Sequence, residues 1–279
     1  MSEEIYRAIV RALERGERAA LVTIVATGGS TPQRVGAKML VYEDGRTLGT
    51  IGGGCYEHDA AGKAREAIRL RRPHVSRYTL SDELSADTGL ICGGQMDVYI
   101  EPIERAPDLY LVGAGHVSVE VARFAAAAGF RVHVVDDRDK FANADRFPGA
   151  EVVVDDIPGW LAGADIPSTA FVVVATRGHR QDFEAMRALV GRPLRYLGLI
   201  GSRAKVLKVF EGLEAEGADR GRLAAVHAPI GLDIGAVTPA EIGISIAAEL
   251  VAVRSGRMAE PHVAAAAMRA AAGAPSLAR

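Results

Sequence analysis

The chain has little that would tie it to a membrane, to nucleic acid or to an oxidising compartment. No apolar run approaches the length of a helical membrane span. The opening stretch, MSEEIYRAIVRALERGE, is a charged amphipathic helix pattern with Ile5, Ile9, Ala12 and Leu13 on one face. It lacks the apolar core of a secretory signal, so a soluble, cytoplasmic protein is expected. The net charge is only −2 and charges of both signs are interspersed, which argues against a nucleic-acid surface. Aromatic residues are scarce and Trp160 is the lone tryptophan, so no stacking platform for bases is evident. The two cysteines, Cys55 and Cys92, lack the Cys-x-x-Cys spacing of a redox pair, and no histidine cluster completes a zinc set with them. A structural disulfide does not suit a chain of intracellular character.

What the chain does have is glycine in patterned runs. Both cysteines sit in sibling phrases, GTIGGGC at 49–55 and GLICGGQ at 89–95. Each runs from an apolar β-like stretch into glycines, which would expose backbone amides beside a small nucleophilic side chain. Glycine costs about 0.5–1 kcal/mol relative to alanine inside regular structure, so Gly52, Gly53 and Gly54 in a row, and Gly93 and Gly94, need a reason. A tight turn is one and a ligand pressed against backbone is another. The competing reading makes the cysteines small apolar filler and the glycines a bulge or corner.

At 279 residues the length suits two ordinary domains. The expected fold class is α/β: a small N-terminal α/β domain over 1–104, then a Rossmann-like, doubly wound parallel-sheet domain over 108–255, then an alanine-rich tail over 256–279. In the first domain, strands are expected at 19–26, 37–42 and 46–51, with Glu43-Asp44-Gly45 as a hairpin turn, then a helix over 55–70 and strands at 75–80 and 96–101. The prolines of 102–107 mark a linker. From Asp108 the rhythm becomes strand, turn, helix, with short apolar strands at about 109–112, 131–135, 151–154, 170–175 and 195–200, as in a parallel sheet buried on both faces. The phrase TPAE at 238–241 reads as a capping box opening the last clear helix.

Three constellations could carry chemistry. In LVGAGHVS at 111–118 a strand feeds Gly113-x-Gly115 and then a helix, and Asp136 ends the next strand where a ribose-binding acid would stand. Ser118 replaces the third glycine of a dinucleotide fingerprint, which loosens it; a Rossmann scaffold with a repurposed pocket is the alternative. ATRGHRQD at 175–182 and LGLIGSRAK at 197–205 fall on the carboxyl edge of the same sheet, where Arg177, His179, Ser202, Arg203 and Lys205, joined by His116, could face an anion; capping and solvent exposure are the plainer roles. The loop at 26–38 brings glycines, hydroxyls, Arg34 and Lys38 together, a wrap for an anionic ligand without the Gly-Lys-Ser/Thr ending of a nucleotide-phosphate loop.

With these phrases, and with HAPIGLDIGAVTPAEIGISIAAELVA at 227–252, the chain resembles the XdhC/CoxI-type maturation factors of molybdenum hydroxylases such as xanthine dehydrogenase. The matching phrases run in that family's order from Gly29 to about Val253. The resemblance implies a protein that binds molybdenum cofactor (molybdopterin), protects it while a cysteine desulfurase exchanges an oxo ligand for sulfur, and hands it to the hydroxylase apoenzyme without turnover of its own. It implies Cys55 or Cys92 as molybdenum ligand or sulfur relay, since thiolate suits a soft metal centre. The cofactor's phosphate would then fall to amides and to cations such as Arg34, Lys38, Arg203 and Lys205. A homodimer through the C-terminal helices fits the pattern. The alternative function is an NAD(P)-dependent oxidoreductase, against which Ser118 and the lack of an identifiable proton donor both weigh.

Overall fold

The computed structural model describes residues 2–79 and 94–258. The chain divides into two compact units, Met1–Arg105 and Ala106–Arg279. Cys92 and Gly93, and the expected tail from 259 onward, lie outside the described residues.

The first unit is an antiparallel sheet with a helix on each face. Helix α1 (Ser2–Arg15) buries Ile5 and Ala12 of the anticipated stripe together with Ala8, while Ile9 and Leu13 of that stripe are half-buried. Strands β1 (Ala19–Gly28), β2 (Lys38–Tyr42) and β3 (Thr47–Gly49) form a meander. Helix α2 (Gly54–Leu70) follows, then β4 (His74–Thr79) and β5 (Gln95–Ile103), giving the order β3-β2-β1-β5-β4. Side chains alternate along β1: Ala20, Val22 and Ile24 pack with Ala60, Ala64 and Ile68 of α2, while Ala19 and Leu21 pack with α1. The hairpin turn forms at Glu43-Asp44-Gly45, with Gly45 at φ 91° and the Asp44 carboxylate accepting from the Arg46 amide at 3.0 Å. Pro102 belongs to β5, in register with Ala20, and is not linker; β4 pairs with β5 only as far as Ile100, so Pro102 sits where one side of the strand is an edge.

The second unit is a parallel sheet of β6 (Asp108–Val112), β7 (Arg131–Asp136), β8 (Glu151–Val154), β9 (Phe171–Val174) and β10 (Tyr196–Leu199). Its order, β10-β9-β6-β7-β8, is that of a doubly wound fold, with the order reversing between β6 and β9. Helices α3 (His116–Ala127), α4 (Ile157–Gly163), α5 (His179–Leu189), α6 (Arg203–Ala215), α7 (Arg220–Ala224) and α8 (Pro239–Arg254) surround it. Every residue of β9 and β10 is buried, which is why these strands read as unbroken apolar runs.

Two features of the last third were not anticipated. Residues 227–230 lie along β10: the His227 amide donates to Leu197 (2.9 Å), Leu199 donates to His227 (3.0 Å) and Ile230 donates to Leu199 (3.1 Å). Helix α8 then packs beside α3 in the same direction. A Cβ on Gly243 would lie 2.6 Å from Glu120 Cβ, and the Arg254 guanidinium donates to the Ala128 carbonyl at 2.7 Å. The capping box forms as expected, Thr238 Oγ1 accepting from the Glu241 amide (3.3 Å) and Glu241 accepting from the Thr238 amide (2.8 Å).

On the opposite, amino edge of the sheet, arginines finish the helices. Arg192 donates to the carbonyls of Leu161 in the last turn of α4 and of Ala164 that caps it (3.0 Å), and Arg222 donates to Gly191 after α5. Arg195 donates to Arg254 at the end of α8 (2.6 Å), and Arg254 does the same for α3. Apart from Gly191, which lies one residue past the cap of α5, these are carbonyls a helix leaves unpaired at its end.

Candidate functional site

In the first unit the glycine phrase closes on a carboxylate that follows it in the same phrase. One oxygen of Glu57, Oε2, accepts from Thr50 Oγ1 (2.5 Å) and from the amides of Ile51 (2.9 Å), Gly52 (3.2 Å) and Gly53 (2.9 Å). The three consecutive N–H groups form an anion-holding concavity, and Glu57 fills it. Those amides, expected to be bare, are therefore spoken for. The glycines are required by geometry as well: Gly52, Gly53 and Gly54 have φ of 129°, 79° and 79°, and a Cβ on Gly52 would lie 2.6 Å from Tyr56 Oη and 2.7 Å from Pro32 Cγ.

The result is a fixed turn that delivers Cys55, exposed, onto the first turn of α2. Beside it Gly54, Glu57, His58 and Arg65 line a cleft of about 350 Å³. Gly94, the described end of the sibling phrase, packs against the same loop that Gly52 touches: a Cβ there would lie 2.2 Å from the Ser30 carbonyl oxygen. Arg34 is exposed on this loop, with no ion-pair partner among the described residues. Lys38 sits in β2 opposite Thr23, on the sheet face of Leu40, which packs with α1.

Burial alone would raise the Glu57 carboxyl, but the bonds from Thr50 and from the amides of Gly53, Ile51 and Gly52 outweigh it and hold the group below the usual glutamate range. A carboxyl depressed on folding contributes stability above its unfolded value, and that contribution is lost as pH falls through the folded value. The stability advantage of the native chain over Glu57→Gln is accordingly expected to be complete at neutral pH and to vanish on acidification below the ordinary glutamate range, where the protonated acid resembles the amide. Denaturant unfolding of both proteins across that range reads it out; a difference that stays constant with pH would refute the clamp.

In the second unit Gly113 follows β6 at φ 108°, and a Cβ there would lie 2.3 Å from the Ala175 carbonyl oxygen at the end of β9. The next residue, Ala114, is gripped from both sides: its amide donates to Asp136 Oδ2 (2.7 Å) and its carbonyl accepts from Arg146 (3.0 Å). Asp136 is 1% exposed and also takes Arg138 at 2.8 Å through each oxygen. Its burial would raise the carboxyl, but Arg138 and the Ala114 amide hold it below the usual aspartate range. The sequence placed this acid on a ribose, whereas its partners here are all internal. Lys205 likewise turns inward, pairing with Asp182, a buried carboxylate that also accepts from Thr176 Oγ1 (2.7 Å). It thus ties two junctions of the carboxyl edge together and is not a spare cation.

Ser202 caps α6 on the Lys205 amide (3.3 Å), and Arg203 is exposed with no ion-pair partner among the described residues. His116 is exposed at the start of α3, edge-on to Phe141, and Gly115 before it has no neighbour within 4 Å of a would-be Cβ. His179 is exposed at the start of α5. The edge thus joins four helix starts, those of α3, α5, α6 and α8, above one sheet. Sequence reasoning missed Glu57, Asp182 and Arg146, of which only Glu57 left a local trace, as an acid one turn into a helix that opens on glycines.

A family model described as the XdhC Rossmann domain matches residues 109–250, about half of the chain, and one described as the XdhC and CoxI family matches residues 12–79. The chain belongs to the XdhC family. Among relatives of this XdhC chain, the uncharacterized protein YqeB of Escherichia coli (strain K12) is 37% identical over 238 residues, 85% of this chain and 43% of that protein. A probable xanthine dehydrogenase subunit from Bacillus subtilis (strain 168) is 25% identical across 87% of this chain and 95% of its own length. The molybdenum cofactor insertion chaperone PaoD of Escherichia coli (strain K12) is 37% identical over 108 residues, 39% of this chain and 34% of that protein. The chain thus spans less than half the length of YqeB and about a third of PaoD. A crystal structure of a xanthine dehydrogenase from Bacillus halodurans shares the fold, with a TM-score of 0.51 at 24% identity over 90% of this chain and 96% of that one. NAD(P) use finds no support among these relatives. No helix among the described residues is long and apolar enough to cross a membrane.

Proposed function

We propose that this XdhC chain binds molybdenum cofactor, shields it while a cysteine desulfurase supplies its terminal sulfur, and passes it to a molybdenum hydroxylase apoenzyme such as xanthine dehydrogenase, with no turnover of its own. The observation that carries the reading is the exposed Cys55 thiol, held on the first turn of α2 by the Glu57 clamp. Family membership and the likeness to PaoD support it. The cargo fits this donor. No group of three metal-ligating side chains occurs among the described residues, and a molybdenum centre already chelated by its pterin dithiolene needs none. One thiolate, a soft donor, completes such a centre. Cys92 is proposed as the second thiol.

The test is anaerobic retention of molybdenum cofactor by the full chain, with metal and pterin measured together. Wild type is expected to retain it, and Cys55→Ala with Cys92→Ala to weaken retention at least about tenfold, roughly 1.4 kcal/mol. Equal retention by the double variant would remove thiol ligation. Failure of the wild type to retain cofactor, with tight NAD(H) or NADP(H) binding instead, would overturn the reading.

A further inference from the structure

At the amino edge of the second sheet, the start of β10, residues 225–227 and the ends of α5, α7 and α8 border a cavity of about 420 Å³. That volume lies within the range of small-molecule sites, about 300–1,000 Å³. Leu194 and Val253 belong to its apolar wall, and Arg192, Arg195, Arg222 and His227 bring the polar groups. No acidic side chain lines it among the described residues.

Charge sets this cavity apart. The three guanidinium groups have no ion-pair partner among the described residues and bind main-chain carbonyls instead, Arg192 those of Leu161 and Ala164, Arg195 that of Arg254 and Arg222 that of Gly191. Those carbonyls stand at or just past helix ends, each a pole of about half an elementary charge. A full positive charge against half a negative one leaves the cavity electropositive. Its donors are also not used up. Arg222 is exposed and commits only Nη1, so Nε and Nη2 carry no hydrogen bond among the described residues. Arg195 Nη1 is buried without a hydrogen-bond partner among them. His227, 5% exposed, has Nδ1 buried 2.9 Å from Glu249 but not bonded to it, and Nε2 is the ring nitrogen left for a ligand. Buried polar groups left in that state call for a partner.

We propose that this cavity binds an organic carboxylate, a monoanion with an apolar body, its carboxylate on Arg222 and His227 and its body along Leu194 and Val253. The surroundings separate this ligand from a phosphate. Phosphate sites draw on the free amides of helix starts, whereas α5, α7 and α8 contribute their ends here, and carbonyl poles disfavour a dianion. A guanidinium with two donors free on one side matches the two oxygens of a single carboxylate. The site belongs to the second unit alone, on the edge opposite Gly113, and does not rest on the cofactor reading.

The experiment is calorimetric titration of the full chain at low salt with benzoate, 3-phenylpropionate and hexanoate, and with benzamide and inorganic phosphate as contrasts. At least one carboxylate is expected to bind at millimolar concentration, at least tenfold more tightly than benzamide or phosphate. Arg222→Gln is expected to weaken that binding tenfold or more by removing charge. Ala225→Phe changes no charge and places a ring in the cavity, and it is expected to abolish binding. Ala225 is exposed at the cap of α7, so this second variant leaves the core untouched, and Trp160 fluorescence during denaturant unfolding verifies that both variants are folded. No carboxylate binding at millimolar concentration, benzamide or phosphate bound as tightly as the best carboxylate, or binding that survives either folded variant overturns the site.

Discussion

Glu249→Ala is expected to destabilise the second unit by about 3–5 kcal/mol, the cost of breaking a fully buried, hydrogen-bonded charge cluster. Glu249 is 0% exposed and accepts from the Tyr196 hydroxyl at 2.5 Å and the Gly231 amide at 2.9 Å, with His227 Nδ1 2.9 Å away but not hydrogen-bonded to it. Burial and the adjoining carboxylate push the Tyr196 phenol well above its ordinary range, so it remains a donor at any pH of interest. Truncation to alanine leaves the Tyr196 hydroxyl and the Gly231 amide unpaired in a buried interior and removes the volume of the side chain. Trp160, in α4, belongs to this unit, so tryptophan fluorescence during denaturant unfolding reports its stability selectively. Glu249→Gln keeps the volume and one acceptor and is expected to fall between the two. A loss under 1 kcal/mol for the alanine variant would show that the cluster is not what holds this segment to β10.

Gly113→Ala is expected to cost about 2–4 kcal/mol by the same fluorescence measurement, combining strain at positive φ with overpacking. The clash is with backbone, 2.3 Å from the Ala175 oxygen and 2.9 Å from Thr176 Cα, and nothing nearby can yield. The Gly113 amide is bonded to Val135 (2.8 Å), the Ala175 amide to Val112 (2.9 Å), and Ala114 is held by Asp136 and Arg146. Gly115→Ala is the control within the same motif. Its φ is −67° and a Cβ would meet nothing within 4 Å, so only the weaker capping preference of alanine applies, under about 1 kcal/mol. Equal losses at the two glycines would mean that close approach to β9 is not what the first of them provides.

The parts of this fold that announce themselves are those whose cause is local. The Asp44-Gly45 turn, the capping box at Thr238 and Glu241, and the strand into Gly113 each have their reason within a few residues, and each forms. The two-period alternation of β1 and the solid apolar runs of β9 and β10 follow from burial on one unit's two faces and inside another's sheet. The sites were harder because their partners are distant. Asp182 and Lys205 are joined across two strand ends, so counting positive side chains on the edge overstated the free charge. Tyr196, His227 and Glu249 meet only because α8 folds back beside α3, a contact whose marker, Gly243, looks like any helical glycine until Glu120 is seen against it. Asp136 shows the opposite limit: its position is right for the fingerprint, but in the folded chain Arg138 and Ala114 already claim it.

The arginines on the amino edge of the second sheet have one more effect. Arg192, Arg195, Arg222 and Arg254 place full positive charges against the partial negative poles of four helices, while the starts of α3 and α5 on the far edge keep their partial positive poles uncapped by side chains. Of these four helices, α3 alone has no acid at its start, since α4 begins on Asp156 and α5 and α8 carry Asp182 and Glu241 in their first turns. What the arginines add is therefore confined to the amino edge, where each charge acts on a helix pole within a Debye length, about 8 Å in physiological salt.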